Sequence, residues 1–257
     1  MHRLCRASAI AVAAMVLSGV ADRASCAADY AREARLAQEI VPAIVVGDPV
    51  YLATPRQPRI LALYTEATPP AIAKAAVIVV HGVGVHPDWG LINGLRSGLA
   101  EAGMATLSVQ MPVLSADAAR EQYASLFPES TERLAAAVAY LRERGAERIA
   151  IVSHSMGASM ADAYFSSSSA VKLSAWVPVG MLIAPRLRPG MPVLDVIAEH
   201  DFPQVLDLAS KRAATLPRDQ CSRQVFIAGT DHYMDNRQKE LVAAIVPFLT
   251  RAFEGRC

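Results

Sequence analysis

Three short stretches of this 257-residue chain combine residue types that can do covalent chemistry. Ser153-His154-Ser155-Met156-Gly157 follows the apolar run at 149–152 and precedes 158–165, which reads as a helix. This is strand, tight turn and helix, with Ser155 set between small residues two positions to either side. A nucleophile held in such a strained turn demands small flanks, because neighbouring chain passes close to it. At the start of a helix, the dipole also favours negative charge developing on the serine oxygen. The serine still needs a base to take its proton and a third group to orient that base. Glu199-His200-Asp201-Phe202-Pro203 and Gly229-Thr230-Asp231-His232 hold candidates for both roles. Taken alone, the first stretch also reads as an ordinary strand-to-helix turn with a serine cap.

Such chemistry requires loops that converge, and the surrounding elements predict a frame that supplies them. Residues 75–80 (AAVIVV), 149–152 (IAIV) and 225–228 read as strands apolar on both faces, as parallel sheets covered by helices require. Residues 106–110, 175–179 and 193–198 are weaker strands of the same kind. Between them, Leu91, Leu95 and Leu99 mark one amphipathic helix, Leu134, Val138 and Leu141 a second, and Leu241, Ile245, Phe248 and Leu249 a third. Alternating strands and helices imply an α/β fold with right-handed crossovers. Residues 29–64 read as an entry segment with antiparallel edge strands at 50–53 and 59–64. Ligands of such sheets bind beyond the carboxyl ends of the strands, where all three stretches fall.

On these motifs the sequence resembles the α/β-hydrolase superfamily, whose nucleophile elbow reads Gly-x-Ser-x-Gly; Ser153 stands here in place of the first glycine. His81-Gly82-Val83-Gly84-Val85-His86, after the strand at 75–80, resembles the superfamily's His-Gly segment ahead of an oxyanion-hole residue. The resemblance covers residues 59–254 and implies a mostly parallel central sheet flanked by helices. It implies the amides of Val83 and Met156 as oxyanion hole. It places the acid after 193–198 and the base after 225–228, which selects Asp201, with Glu199 its nearest rival, and His232. His232 would then take the serine proton while Asp201 fixes its tautomer. His86 and Trp89 are candidate pocket residues. His81 and His154 are expected to be structural, Asp195, which lies within its strand, to form a structural pair, and Asp231 and Asp235 to cap the last helix. His81 to Trp89 followed by MATLSVQMP at 104–112 looks most like a secreted bacterial branch without an assigned substrate.

The function implied is hydrolysis of carboxylic esters through an acyl-enzyme, with a small-molecule ester or acyl compound as substrate. A thioesterase or acyltransferase would use the same triad, and a non-catalytic envelope or binding protein could keep the fold. Residues 181–192 leave too little chain for a large cap domain, whereas 113–130, with Tyr123, Leu126 and Phe127, could form a small partial lid. No His or Cys pair has metal-ligand spacing, and Gly82-Val83-Gly84 is too short for a dinucleotide fingerprint, so neither metal nor other cofactor is expected. In this fold Cys221 precedes the strand at 225–228 and Cys257 follows the last helix. Both should lie at the face opposite the site, and a disulfide between them is expected.

Composition bounds the rest. Hydrophobic residues are 53% and charged residues 19% of the chain, against the usual ~25% charged, which excludes a disordered chain. A formal charge of +1 without a basic run argues against nucleic acid as partner. Arg3 and Arg6 precede fifteen uncharged residues, 7–21, and then Ala24-Ser25-Cys26-Ala27. That pattern predicts a signal peptide over 1–27, export to the periplasm or medium, and one domain over 28–257. Fifteen residues fall short of the ~20 needed to span a membrane, so no stable span is expected in the mature protein.

Overall fold

Pairing of the β-branched runs organises the molecule. The computed structural model describes residues 27–184 and 191–257, so the expected signal segment lies outside the described residues except for Ala27. Eight strands form one sheet: β1 (Asp48–Leu52), β2 (Ile60–Thr65), β3 (Ala75–Val80), β4 (Ala105–Val109), β5 (Arg148–His154), β6 (Ala175–Val179), β7 (Leu194–His200) and β8 (Arg223–Asp231). Their order is β1-β2-β4-β3-β5-β6-β7-β8. β1 and β2 are antiparallel to their neighbours and the six others run parallel, which places every chemistry-bearing loop at one edge.

Helices cover both faces, as the apolar runs require. Alternate residues of β3 serve opposite layers. Ala76, Ile78 and Val80 join a core with Leu134, Val138 and Leu141 of α3 (Phe127–Glu143) and with Met160 and Tyr164 of α4 (Met156–Phe165). Ala75, Val77 and Val79 join the core built by α2 (Gly90–Glu101) and the C-terminal helix (Gln238–Phe253). These two helices lie unusually close: a methyl group added at Gly94 would come within 2.8 Å of Gln238 Cγ, and one at Gly98 within 2.9 Å of Val242 Cγ2.

Two features depart from the sequence expectation. The entry segment begins with a helix, α1 (Tyr30–Ile40), capped by Asp29, whose side chain accepts from the Arg32 amide. Its buried face carries Glu33, so apolar periodicity does not announce it. Arg133 explains the burial. One guanidinium nitrogen donates to Glu33 (2.9 Å) and to the Gln110 carbonyl (2.8 Å), and the other donates to both Glu33 and Glu129. Burial nonetheless pushes the Glu33 carboxyl above its ordinary pKa. Second, Asp231 accepts from the amide of Tyr233 (3.0 Å), and the last helix starts behind Arg237 without a side-chain cap, so the expected capping by Asp231 and Asp235 does not occur. The expected pairing of Asp195 is met by Arg212 (2.8 Å), which lies between Asp207 and the end of a short helical stretch after β7.

Cys221 and Cys257 are joined, with 5.2 Å between their Cα atoms, at the start of β8 and just past the last helix. Among the described residues no helix is long and apolar enough to cross a membrane. Two stability outcomes follow from these contacts. Replacing both cysteines by serine frees a loop of sequence separation 36 and should lower the unfolding free energy in urea by about 2–4 kcal/mol; identical midpoints for parent and variant would contradict this. Arg133→Met leaves two buried carboxylates without a counter-ion and should cost about 3–5 kcal/mol in the same titration.

Candidate active site

The carboxyl ends of β5, β7 and β8 stop directly before Ser155, Asp201 and His232, which turns three strand ends into one constellation. A carboxylate can only accept, so the His232 Nδ1–H donates to Asp201 Oδ1 at 2.6 Å. Nε2 is then the acceptor for the Ser155 hydroxyl at 2.9 Å. Asp201 is held in turn by the amides of Phe202 (2.8 Å, to Oδ1) and Ala198 (3.3 Å, to Oδ2). Its sequence rival Glu199 faces outward and accepts from the Gly229 amide at 2.8 Å, remote in role from the imidazole.

The elbow has the strain expected of it. Ser155 sits at φ 56°, ψ −121°, a left-handed backbone that side-chain-bearing residues seldom adopt. Gly157 is required sterically, since a Cβ there would lie 2.4 Å from the His81 carbonyl and 2.8 Å from that of Val80. Ser153, in place of the superfamily's glycine, is fully buried and points to the neighbouring strand, where its oxygen accepts from the Trp176 indole at 2.9 Å. Met156 opens α4, and its amide has no acceptor within the helix. Val83, on the loop after β3, lines the cleft over Ser155.

Two histidines beside this arrangement are held neutral. His81 Nε2 accepts from the Met111 amide (2.8 Å) while Nδ1 donates to the Gly82 carbonyl (2.9 Å), which clips the loop bearing Val83 to the strand end. Burial lowers its pKa to about 3. His154 Nε2 donates to the His232 carbonyl (2.9 Å); burial first, and then the nearby His232, lower its pKa to about 4. Both are structural in geometry, as their positions in sequence suggested.

The cleft over Ser155 encloses about 220 Å³. Trp89 lines it, together with Phe202, Tyr233 and Arg120. His86 is not among the lining residues; its Nδ1 accepts from the Asp88 amide on its own loop (3.3 Å). The segment 113–130 is largely exposed but is anchored at Val113, Leu114, Tyr123 and Leu126, which are buried, and it contributes Arg120 to the rim. A larger cavity of about 370 Å³ lies beside α1, but no serine, cysteine or histidine lines it. Among the described residues no group of three His, Cys, Asp or Glu side chains could hold a metal ion.

Sequence reading missed Arg120 and Tyr233 in the cleft wall and two residues packed against the imidazole. Gly180, at φ 60° just after β6, lies against the His232–Asp201 pair, and a Cβ there would come 2.9 Å from His232 Cε1 and 3.4 Å from Asp201 Oδ2. Its position directly after the strand between the nucleophile and acid strands was the available signal. Phe202 stacks on the His232 ring with centroids 4.0 Å apart, a contact that no local pattern announces.

Residues 77–256 match the model of the alpha/beta hydrolase family. No curated protein matches the chain. Among solved structures, an alpha-beta serine hydrolase homologue from Coxiella burnetii is 14% identical, with TM-score 0.62 over 79% of this chain and 98% of its own. A serine hydrolase without lid from Xanthomonas campestris is 16% identical, with TM-score 0.62 over 81% and 95%. Est1E from Butyrivibrio proteoclasticus is 15% identical, with TM-score 0.63 over 80% and 99%. At these identities the likeness is one of fold, and it extends to a sheet that carries no cap.

The two neutral histidines give a pH dependence with a defined sign. Each has an ordinary pKa near 6.5 when unfolded and a much lower one when folded. Their contribution to stability is therefore complete above pH 6.5 and lost as pH falls toward about 4 for His154 and about 3 for His81. Each should add up to ~1.4 kcal/mol per pH unit to the slope in that window. Urea titrations at pH 7, 6 and 5 should show this decline, shallower in His154→Gln; an identical slope in parent and variant would refute it.

Proposed function

Because the chain belongs to the alpha/beta hydrolase family, we propose that it is a serine hydrolase that cleaves carboxylic esters through Ser155, His232 and Asp201. The observation that carries this reading is the unbroken hydrogen-bond chain from Asp201 through His232 to a Ser155 hydroxyl on a left-handed turn. Ser155 Oγ attacks the ester carbonyl carbon while its proton passes to His232 Nε2. The carbonyl oxygen, now an oxyanion, is met by the amides of Val83 and Met156, donors worth about 3–4 kcal/mol each in comparable sites. The ester C–O bond then breaks, the alcohol leaves with the proton from His232, and an acyl-Ser155 ester remains. Water, deprotonated by His232, attacks that ester; collapse releases the carboxylic acid and returns the proton to Ser155. Asp201 holds the imidazole in the tautomer that makes both halves possible and stabilises its cation.

The capless cleft of about 220 Å³ suits a small or exposed acyl group. Ferulic acid has been seen bound to Est1E, and the aromatic side chains that line the present cleft would accommodate an aromatic acyl group. Residues 1–27 act in this reading as an export signal, with residues 28–257 as the working domain. The Cys221–Cys257 bond supports an oxidising compartment, periplasmic or extracellular.

A fluorophosphonate probe should label the parent protein and leave Ser155→Ala unlabelled. Ser155→Ala and His232→Ala should each lower kcat/KM for 4-nitrophenyl butyrate at least ~10³-fold, and the double variant should be little worse, because the two residues act as a unit. Equal labelling of parent and Ser155→Ala would move the nucleophile elsewhere; no labelling of either would end the hydrolase reading.

A further inference from the structure

Among the described residues, Arg120 supplies the only permanent charge in the wall of the Ser155 cleft. Three buried guanidiniums behind the cleft are ion-paired, Arg96 with Asp88, Arg133 with Glu33 and Glu129, and Arg212 with Asp195, and Arg32 donates to the carbonyls of Leu114 and Gly84. Arg120 forms no ion pair with any described residue; its guanidinium rests on the face of Phe202, 5.4 Å from the ring centroid. Phe202 is also the ring stacked on His232 at 4.0 Å. A solitary cation is thus held one aromatic ring away from the reacting histidine. The one carboxylate close by, on Asp201, is buried and already engaged by His232 and two amides. Trp89, Phe202 and Tyr233 line the same cleft with largely apolar surface, and such low-dielectric walls concentrate the field of this charge in the cleft.

We infer that, granted the ester-hydrolase reading, the substrates are esters carrying a second, anionic group, above all a carboxylate, a few bonds from the scissile carbonyl, and that Arg120 selects them. A planar guanidinium offers two parallel N–H donors that match a carboxylate, a geometry that the ammonium of lysine does not reproduce. The Phe202 ring, its centroid 5.4 Å from the guanidinium carbon, holds that group on the cleft side by a cation–π contact. Since the carbonyl oxygen of the substrate also develops negative charge, the cation favours the transition state of every ester to a small degree. Its selective effect falls on the substrate that brings a full charge of its own. The acyl side and the alcohol side of the ester bond both lie within a few bonds of the scissile carbonyl, and the two placements of the anion require separate probes.

The test uses three chromogenic esters of the whole protein's proposed reaction: 4-nitrophenyl butyrate, the 4-nitrophenyl monoester of glutaric acid, and the butyrate ester of 4-hydroxy-3-nitrobenzoic acid. One anionic ester, identified by whether its carboxylate lies on the acyl or the alcohol side, should exceed the neutral one in kcat/KM. Arg120→Gln should reduce that anionic-to-neutral ratio tenfold or more, mainly through KM, and Arg120→Lys should restore part of it. Raising NaCl from 50 to 500 mM should shrink the ratio in the parent and leave it flat in Arg120→Gln. Glutarate and 4-hydroxybenzoate binding to Ser155→Ala, measured calorimetrically, gives a readout independent of turnover, and one of them should weaken at least tenfold when Arg120→Gln is added. Equal ratios in parent and Arg120→Gln, together with anion binding unaffected by it, would overturn the inference while fluorophosphonate labelling of Ser155 stood. Arg120-dependent anion binding without labelling would instead remove the hydrolase reading and keep the anion site.

Discussion

A side chain at φ 56° costs on the order of 1–3 kcal/mol, and Ser155 keeps that backbone because its neighbours leave it no alternative. Its amide donates to the Val179 carbonyl at 2.9 Å, which fixes it to the end of β6. Two residues later Gly157 is pressed against the carbonyls of Val80 and His81, possible only because β3 and β5 run parallel in the register that pairs Val80 with Ser153. On the far side α4 is buried along almost its whole length and cannot rotate to release the turn. The sheet therefore acts as the clamp for the turn, and the apolar cores on its two faces supply the force.

Polar groups buried near this edge serve placement more than cohesion. Buried ion pairs seldom outdo well-packed apolar residues in stability, yet several sit just behind the cleft. Arg133 binds the Gln110 carbonyl, Gln110 approaches His81, and His81 holds the loop that bears Val83. Arg96 pairs with Asp88, and Ser108 donates to the Pro87 carbonyl at 2.7 Å, so the segment leading to Trp89 is fixed from two sides. Each of these groups restrains a loop that apolar packing alone would leave free to slide. α1 belongs to this system too, since Glu33 reaches both Arg133 and the amide of Val113.

Legibility in the sequence followed the physics of each element. Residues 75–80 and 175–179 coincide with β3 and β6, because a strand buried on both faces must be apolar throughout. The start of α4 at Met156 was visible from the elbow itself. α1 was not, because its inward face carries a carboxylate satisfied by a residue a hundred positions away. The choice of Asp201 over Glu199 came from resemblance, and the geometry gives its reason: the irregular register around Ala198 and His200 turns one carboxyl inward and the other out to the Gly229 amide. Trp89 and Arg120 show the limit. Both reach the cleft wall from loops, and only the tertiary fold determines that Trp89 does so while His86, three residues earlier, does not. The fate of Cys221 and Cys257 could be read because strand direction alone places both at one end of the sheet.

The contact of α2 with the last helix at Gly94 and Gly98 bears on how the cleft can move. Helices this close, meshed side chain into backbone, cannot shear past each other and travel as one plate. Trp89 immediately precedes the first of them, and the turn holding His232 and Tyr233 leads into the other. Trp89 and Tyr233 touch edge to face with centroids 6.1 Å apart, so two aromatic walls ride on the same plate. Thermal displacement of that layer carries both walls together and preserves the aperture between them. The opposite wall, where Arg120 stands, belongs to a different part of the chain and is not tied to that plate by this contact.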